Sequence, residues 1–147
     1  MKRFEFRLQT LLDVRQLHER EAKRRVAAKN AEIARLDLLN AQTLVEIERQ
    51  QALLLELQQS GAIDPLTLSR GRAWIAHLRR STALRQLEKT QLLEQLRDLQ
   101  AKLRDARTQT RIIEKLRERR WNQYRDDVDR KEQAAADELA QQLHGRQ

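Results

Sequence analysis

The chain has no cysteine, so it holds no disulfide framework, no thiolate nucleophile and no zinc-thiolate site. Aromatic residues make up only 3% of its 147 residues, and there are three glycines and one proline. So few bulky side chains fill a compact core poorly, and so few breakers leave helices free to run on. No stretch approaches the roughly 20 apolar residues of a transmembrane helix. The opening MKRFEFRLQTLL starts basic, but Glu5, Arg7 and Gln9 interrupt any apolar signal-peptide core. The expectation from these absences is a soluble, cytoplasmic, all-α protein.

What the chain does have is charge and helix formers. Charged residues reach 35%, with a formal net charge of +8, and Leu, Ala, Glu, Gln, Arg and Lys dominate almost every window. A basic excess raises nucleic acid, anionic lipid or an acidic protein surface as partners. A pair of helices that buries only a narrow seam tolerates this composition, because most of its surface stays charged.

From Phe4 to about Gln59 there is neither Pro nor Gly, and Ile33, Leu36, Asn40, Thr43, Ile47, Gln50, Leu54 and Leu57 recur at alternating spacings of three and four. That spacing predicts one helix, about 80 Å long at about 1.5 Å per residue. A second frame begins at Ile75, Leu78, Thr82, Arg85 and Lys89, continues through Leu92, Leu96, Leu99 and Leu103, and reaches Tyr124 and Asp127 without a skip. Between the two lies Ser60-Gly61-Ala62-Ile63-Asp64-Pro65. Gly61 suits the left-handed conformation that closes a helix, Asp64 can cap the next, and Pro65 fits a first helical position. The predicted fold is therefore a long antiparallel two-helix coiled-coil hairpin forming a single unit over 1–147. Helix 1 covers about 4–59, the turn about 60–64 and helix 2 about 65–143, with a frayed tail after it.

A turn this short makes the helices antiparallel neighbours, so facing residues have numbers summing to about 125. The rule sets Leu54 and Leu57 near Leu68, Ile47 near Leu78, Ile33 near Leu92 and Val26 near Leu99. It also aligns Asn40 and Thr43 with Thr82 and Arg85, a polar layer that either fixes register or is a solvated weak spot. Arg15 and Glu19 oppose Ala106 and Thr110, which predicts a second thin section. At the end that bears both termini, Phe4 and Phe6 come opposite Trp121 and within reach of Tyr124. Such a cluster serves as an aromatic clasp, as a hydrophobic tip offered to a partner, or as both.

No catalytic pattern is present. His18, His77 and His144 do not converge, no HExxH, CxxC or EF-hand spacing occurs, and the glycines are isolated, so neither metal, nucleotide nor any other cofactor is expected. Two basic stretches remain. Arg111, Lys115, Arg117, Arg119 and Arg120 alternate with Glu114 and Glu118 and read as a solvated face with i,i+4 pairs. From Arg70 to Lys89 nearly all charges are positive, and Trp74 lies one position before the seam residue Ile75, which leaves it partly exposed to meet a partner. No zinc finger, helix-turn-helix or basic-zipper arrangement supports specific nucleic-acid binding. The apolar stripe is used in pairing, so no membrane insertion is expected.

The two ends of the chain carry a further pattern. FEFRLQTLLDVRQLHEREAKRRVA resembles the opening of the flagellar export protein FliJ family, with its Phe-x-Phe-Arg-Leu start followed by Leu-Leu-Asp-x-Arg. EKLRERRWNQYRDDVDRKEQAAADELA, from Glu114 to Ala140, resembles the family's closing segment. The resemblance implies a two-helix antiparallel coiled coil similar to the rotary ATPase γ-subunit stalk. It implies a non-enzymatic component of the flagellar type III export apparatus, cytoplasmic and peripheral at the inner-membrane base of the flagellum. Its partners would be the hexamer of the export ATPase FliI, the cytoplasmic domain of the export gate FlhA, and export chaperones. Carried onto this chain, the ATPase-binding tip comprises Phe4, Phe6, Arg7, Leu8, Arg117, Arg120, Trp121 and Tyr124. The gate-binding patch comprises Leu44, Ile47, Gln51, Trp74, Leu78 and Arg85, of which Ile47 and Leu78 also fall on the predicted seam. The equivalent protein of a virulence-type injectisome shares this architecture, and a basic coiled coil that binds nucleic acid or acts as a spacer shares the composition.

Overall fold

The structure, a computed structural model, describes residues 2–61 and 63–146. Ala62, assigned to the turn from the sequence, lies outside the described residues, as do Met1 and Gln147. Two long helices, α1 (Gln9–Gln59) and α2 (Pro65–His144), pack against each other as a helical hairpin, with no strand among the described residues. The turn follows the chemistry of its residues. Gly61 has φ of 68°, the Asp64 carboxylate accepts from the Leu66 amide at 3.4 Å, and the Asp64 carbonyl accepts the first α2 hydrogen bond from Leu68 at 3.0 Å.

Helix α1 starts at Gln9, later than the Phe4 that the pattern predicts. Residues 2–6 are non-helical, because this segment is held by α2 side chains instead of by its own turns. The Tyr124 hydroxyl donates to the Lys2 carbonyl at 2.7 Å, and Phe4 packs on Trp121. Spacing alone cannot report such a competing tertiary contact.

By its internal contacts the chain divides into two compact units, a turn unit of residues 22–102 and a terminal unit of 1–21 with 103–147. In the turn unit the seam is Leu36, Ile47, Ile75, Leu92 and Leu96, all buried, with Ile33, Leu54, Leu57, Leu68, Leu78 and Leu99 half-buried between them. Burying a Leu or Ile side chain stabilises by roughly 1.5–3 kcal/mol, so this row is the main cohesive term. Where the helices leave the turn, Leu54 fills the space over Gly71, and a Cβ on that glycine would lie 2.6 Å from Leu54 Cδ2. The polar layer is present as predicted, with Arg85 Nη1 donating to Thr43 Oγ1 at 2.8 Å and Thr82 Oγ1 donating to the Leu78 carbonyl at 3.1 Å. Asn40 Oδ1 is buried there without a hydrogen-bond partner.

The terminal unit is centred on Leu12, Leu103 and Thr110. Arg15 and Glu19 were expected to leave this section thin. There Arg15 bonds Gln109, Glu19 pairs with Arg107 at 3.7 Å, and Thr110 is only 2% exposed, its hydroxyl satisfied by the Ala106 carbonyl. Polar side chains bridge the two helices at this section, where leucines are absent. Within each unit, the residues joined across the helices have numbers summing to between 124 and 128, in agreement with the register expected from the turn.

Candidate functional site

In the terminal unit, Phe4 meets Trp121 edge-on with ring centroids 5.0 Å apart, Tyr124 lies 5.5 Å from Phe4, and Trp121 lies 5.8 Å from Tyr124. Edge-to-face packing of this kind adds about 0.5–1.5 kcal/mol per pair beyond area burial. Phe6 is outside this ring cluster among the described residues. It lines, with Phe4, Arg7, Leu8, Arg120 and Tyr124, an open groove. Arg117 Nε donates to Gln9 Oε1 at 3.1 Å, which ties the first turn of α1 to α2. Trp121 stays 45% exposed. All eight residues assigned to the tip thus fall in one unit, and three of the four expected aromatics touch.

In the turn unit the six residues assigned to the second patch separate. Ile47 is buried and Leu78 half-buried, so both pack the seam, and Arg85 turns its guanidinium inward to Thr43. Leu44 and Gln51 line the side of a shallow groove, with Arg79 and Thr82 across from them. The groove continues past Gln51 over Leu54, Leu55 and Leu68 to Arg72 and Ala76, a volume of about 420 Å³ in that part. Trp74 is absent from its lining. It is 47% exposed and stacks on His77 with centroids 5.3 Å apart. The spacing held a signal for this separation. Leu44, Gln51, Arg72 and Arg79 each follow a seam position directly, whereas Trp74 precedes one, and in an antiparallel pair these are opposite flanks of the seam.

Charge concentrates in the same region. Between Pro65 and Leu87 there are five arginines and no carboxylate. Among the described residues Arg70, Arg72, Arg79 and Arg80 form no ion pair; the pairs present are Lys29–Glu32, Arg49–Glu46, Lys89–Asp37, Arg107–Glu19 and Arg125–Asp126. Glu46 accepts hydrogen bonds from Gln50 and Arg49, which hold its carboxyl below the usual carboxylate range.

An aromatic cluster beside arginines, and a groove rimmed by arginines, define the class: a helical hairpin that offers surfaces for contact. The family model of the flagellar FliJ protein matches residues 4–147, and the chain belongs to that family. It is accordingly a component of the flagellar protein export apparatus, from a family of non-catalytic components. No curated protein and no solved structure matches the chain. Among the described residues no helix is long and apolar enough to cross a membrane.

Proposed function

We propose that the protein serves the export apparatus by two contacts, one from each unit, and acts on the cytoplasmic side at the base of the flagellum. The terminal unit binds the ring of the export ATPase FliI and favours its hexamer and its activity. The turn unit binds the cytoplasmic domain of the export gate FlhA, and export chaperones are further partners. The observation that carries this reading is the Phe4, Trp121 and Tyr124 cluster with Trp121 still 45% exposed. A partly desolvated Trp flanked by Arg117 and Arg120 is the residue set that anchors protein interfaces. For the turn unit, support comes from the exposed Trp74 and the arginines without ion-pair partners, which favour an acidic surface on the gate side.

The experiment is to add purified protein to the cognate export ATPase at stoichiometric concentration and follow hexamer formation and ATP hydrolysis. Both rise; no effect on either overturns the ATPase assignment. Trp121→Ala lowers the stimulation about tenfold while gate binding persists, a loss of roughly 1.4 kcal/mol. Trp74→Ala has the opposite pattern. Loss of both activities in either variant argues against separate contacts.

A further inference from the structure

Pairing with α1 leaves a second face of α2 bare. At about 3.6 residues per turn, Leu66, Ala73, His77 and Leu84 lie within about 20° of one line along the helix, on the side away from the seam residues Leu68 and Ile75. Arg70 and Arg80 flank that line at about 40° on either side, with Trp74 beyond the first and Leu87 beyond the second. All eight are exposed, and Leu66, Leu84 and Leu87 are each more than half exposed. A single exposed leucine is ordinary. Here three leucines and a tryptophan share one face with Arg70 and Arg80, neither of which forms an ion pair among the described residues.

Charge in the turn unit is one-sided. Between Pro65 and Leu87, α2 carries five arginines and no carboxylate. The stretch of α1 that faces it, residues 38–60, carries Glu46, Glu48 and Glu56 against Arg49. An anionic partner is therefore drawn to the α2 side.

We propose that this outward face of α2 lies on an anionic phospholipid surface. The grooves of the turn unit run along the seam, where two helices supply walls. The outward side of a single helix is convex, so it has no walls to hold a peptide but rests along a plane. Nucleic acid would leave the three leucines in water, and a rigid protein surface would need a groove to receive them, whereas a bilayer takes them at any register. An apolar line flanked by arginines, with a tryptophan at its margin, is the pattern of a helix lying in the headgroup region. The leucines dip below the phosphates, the guanidinium groups reach up to them, and the indole sits at headgroup level. The contact is peripheral, because the line from Leu66 to Leu87 is only about 32 Å long and the helix behind it stays paired with α1.

The full chain is spun down with vesicles of phosphatidylcholine containing about 30% phosphatidylglycerol, and with phosphatidylcholine alone, in roughly 0.1 M salt. It pellets with the first and not with the second; no binding to the anionic vesicles overturns the proposal. Arg70→Gln with Arg80→Gln lowers partitioning about 25-fold, at about fivefold per arginine. Arg104→Gln with Arg111→Gln, the same loss of charge in the terminal unit, changes it by less than about threefold. Equal losses in the two variants show that net charge alone binds, and overturn the assignment of this face. Leu66→Ser with Leu84→Ser, which keeps every charge, lowers partitioning about tenfold with melting unchanged, because both positions face solvent. Undiminished binding of that variant means a contact by charge alone, which an acidic protein or a nucleic acid would make as well, and the lipid assignment falls. Vesicle binding needs no other protein, so its failure leaves the gate contact standing.

Discussion

At residue scale the seam is informative where it is polar. Asn40 Oδ1 is buried without a partner in a layer whose other members, Thr43, Thr82 and Arg85, are bonded. An unpartnered buried acceptor carries a desolvation cost of about 1–3 kcal/mol. Asn40→Leu removes that cost and adds apolar contact, so the urea midpoint rises, by about 1–2 kcal/mol in stability. A midpoint that falls shows that Asn40 is hydrogen-bonded in solution. Thr110 differs, because its buried hydroxyl already has the Ala106 carbonyl. The sequence placed both residues on the seam, since their heptad positions are fixed by their neighbours. Which polar group is satisfied depends on rotamers across the interface, and spacing carries no information about those.

At the scale of elements, Gly71 sets the approach of α2 to α1. Alanine there gains about 1 kcal/mol of helix propensity, but its methyl meets Leu54 at 2.6 Å. Overpacking costs typically 1–3 kcal/mol, so Gly71→Ala lowers stability by up to about 2 kcal/mol in chemical denaturation, and a stabilised variant shows that Leu54 swings clear. The last part of α2 has no neighbour of its own, since residues 129–146 are all exposed. Its amides exchange fast in the isolated protein, because a helix without tertiary packing is marginal. Full protection there, measured by hydrogen exchange, contradicts this. The heptad frames and the turn were legible because period, Gly61 and Pro65 are local signals. The late start of α1 was not, since Phe4 and Tyr124 meet only through the fold.

For the whole molecule, charge acts outward. Each ion pair among the described residues has at least one solvent-exposed member, such as Arg49 with Glu46 and Arg107 with Glu19, and pairs of this kind contribute about 0–1 kcal/mol each. Raising salt from roughly 0.1 M to 0.5 M therefore leaves the melting temperature nearly unchanged, while binding to an acidic partner weakens; a melting temperature that falls steeply with salt counts against this division. The family was legible in the two ends of the chain, where aromatic and charged residues stand in a specific order. Its partners were not, because a heptad says which residues face each other and nothing about what meets the other faces.

The register has a consequence in time. Contacts across the helices join residues 42 apart in sequence near the turn, at Arg85 with Thr43, and 122 apart at Tyr124 with Lys2. Closing a longer loop costs more entropy unless nearer contacts already hold the chain, so the hairpin zips from Gly61 outward and the aromatic rings join last. In stopped-flow measurements Trp121→Ala then speeds unfolding and leaves the folding rate unchanged, whereas Ile75→Ala slows folding. The rings assigned to the ATPase contact are the last part of the protein to arrive and the first to let go.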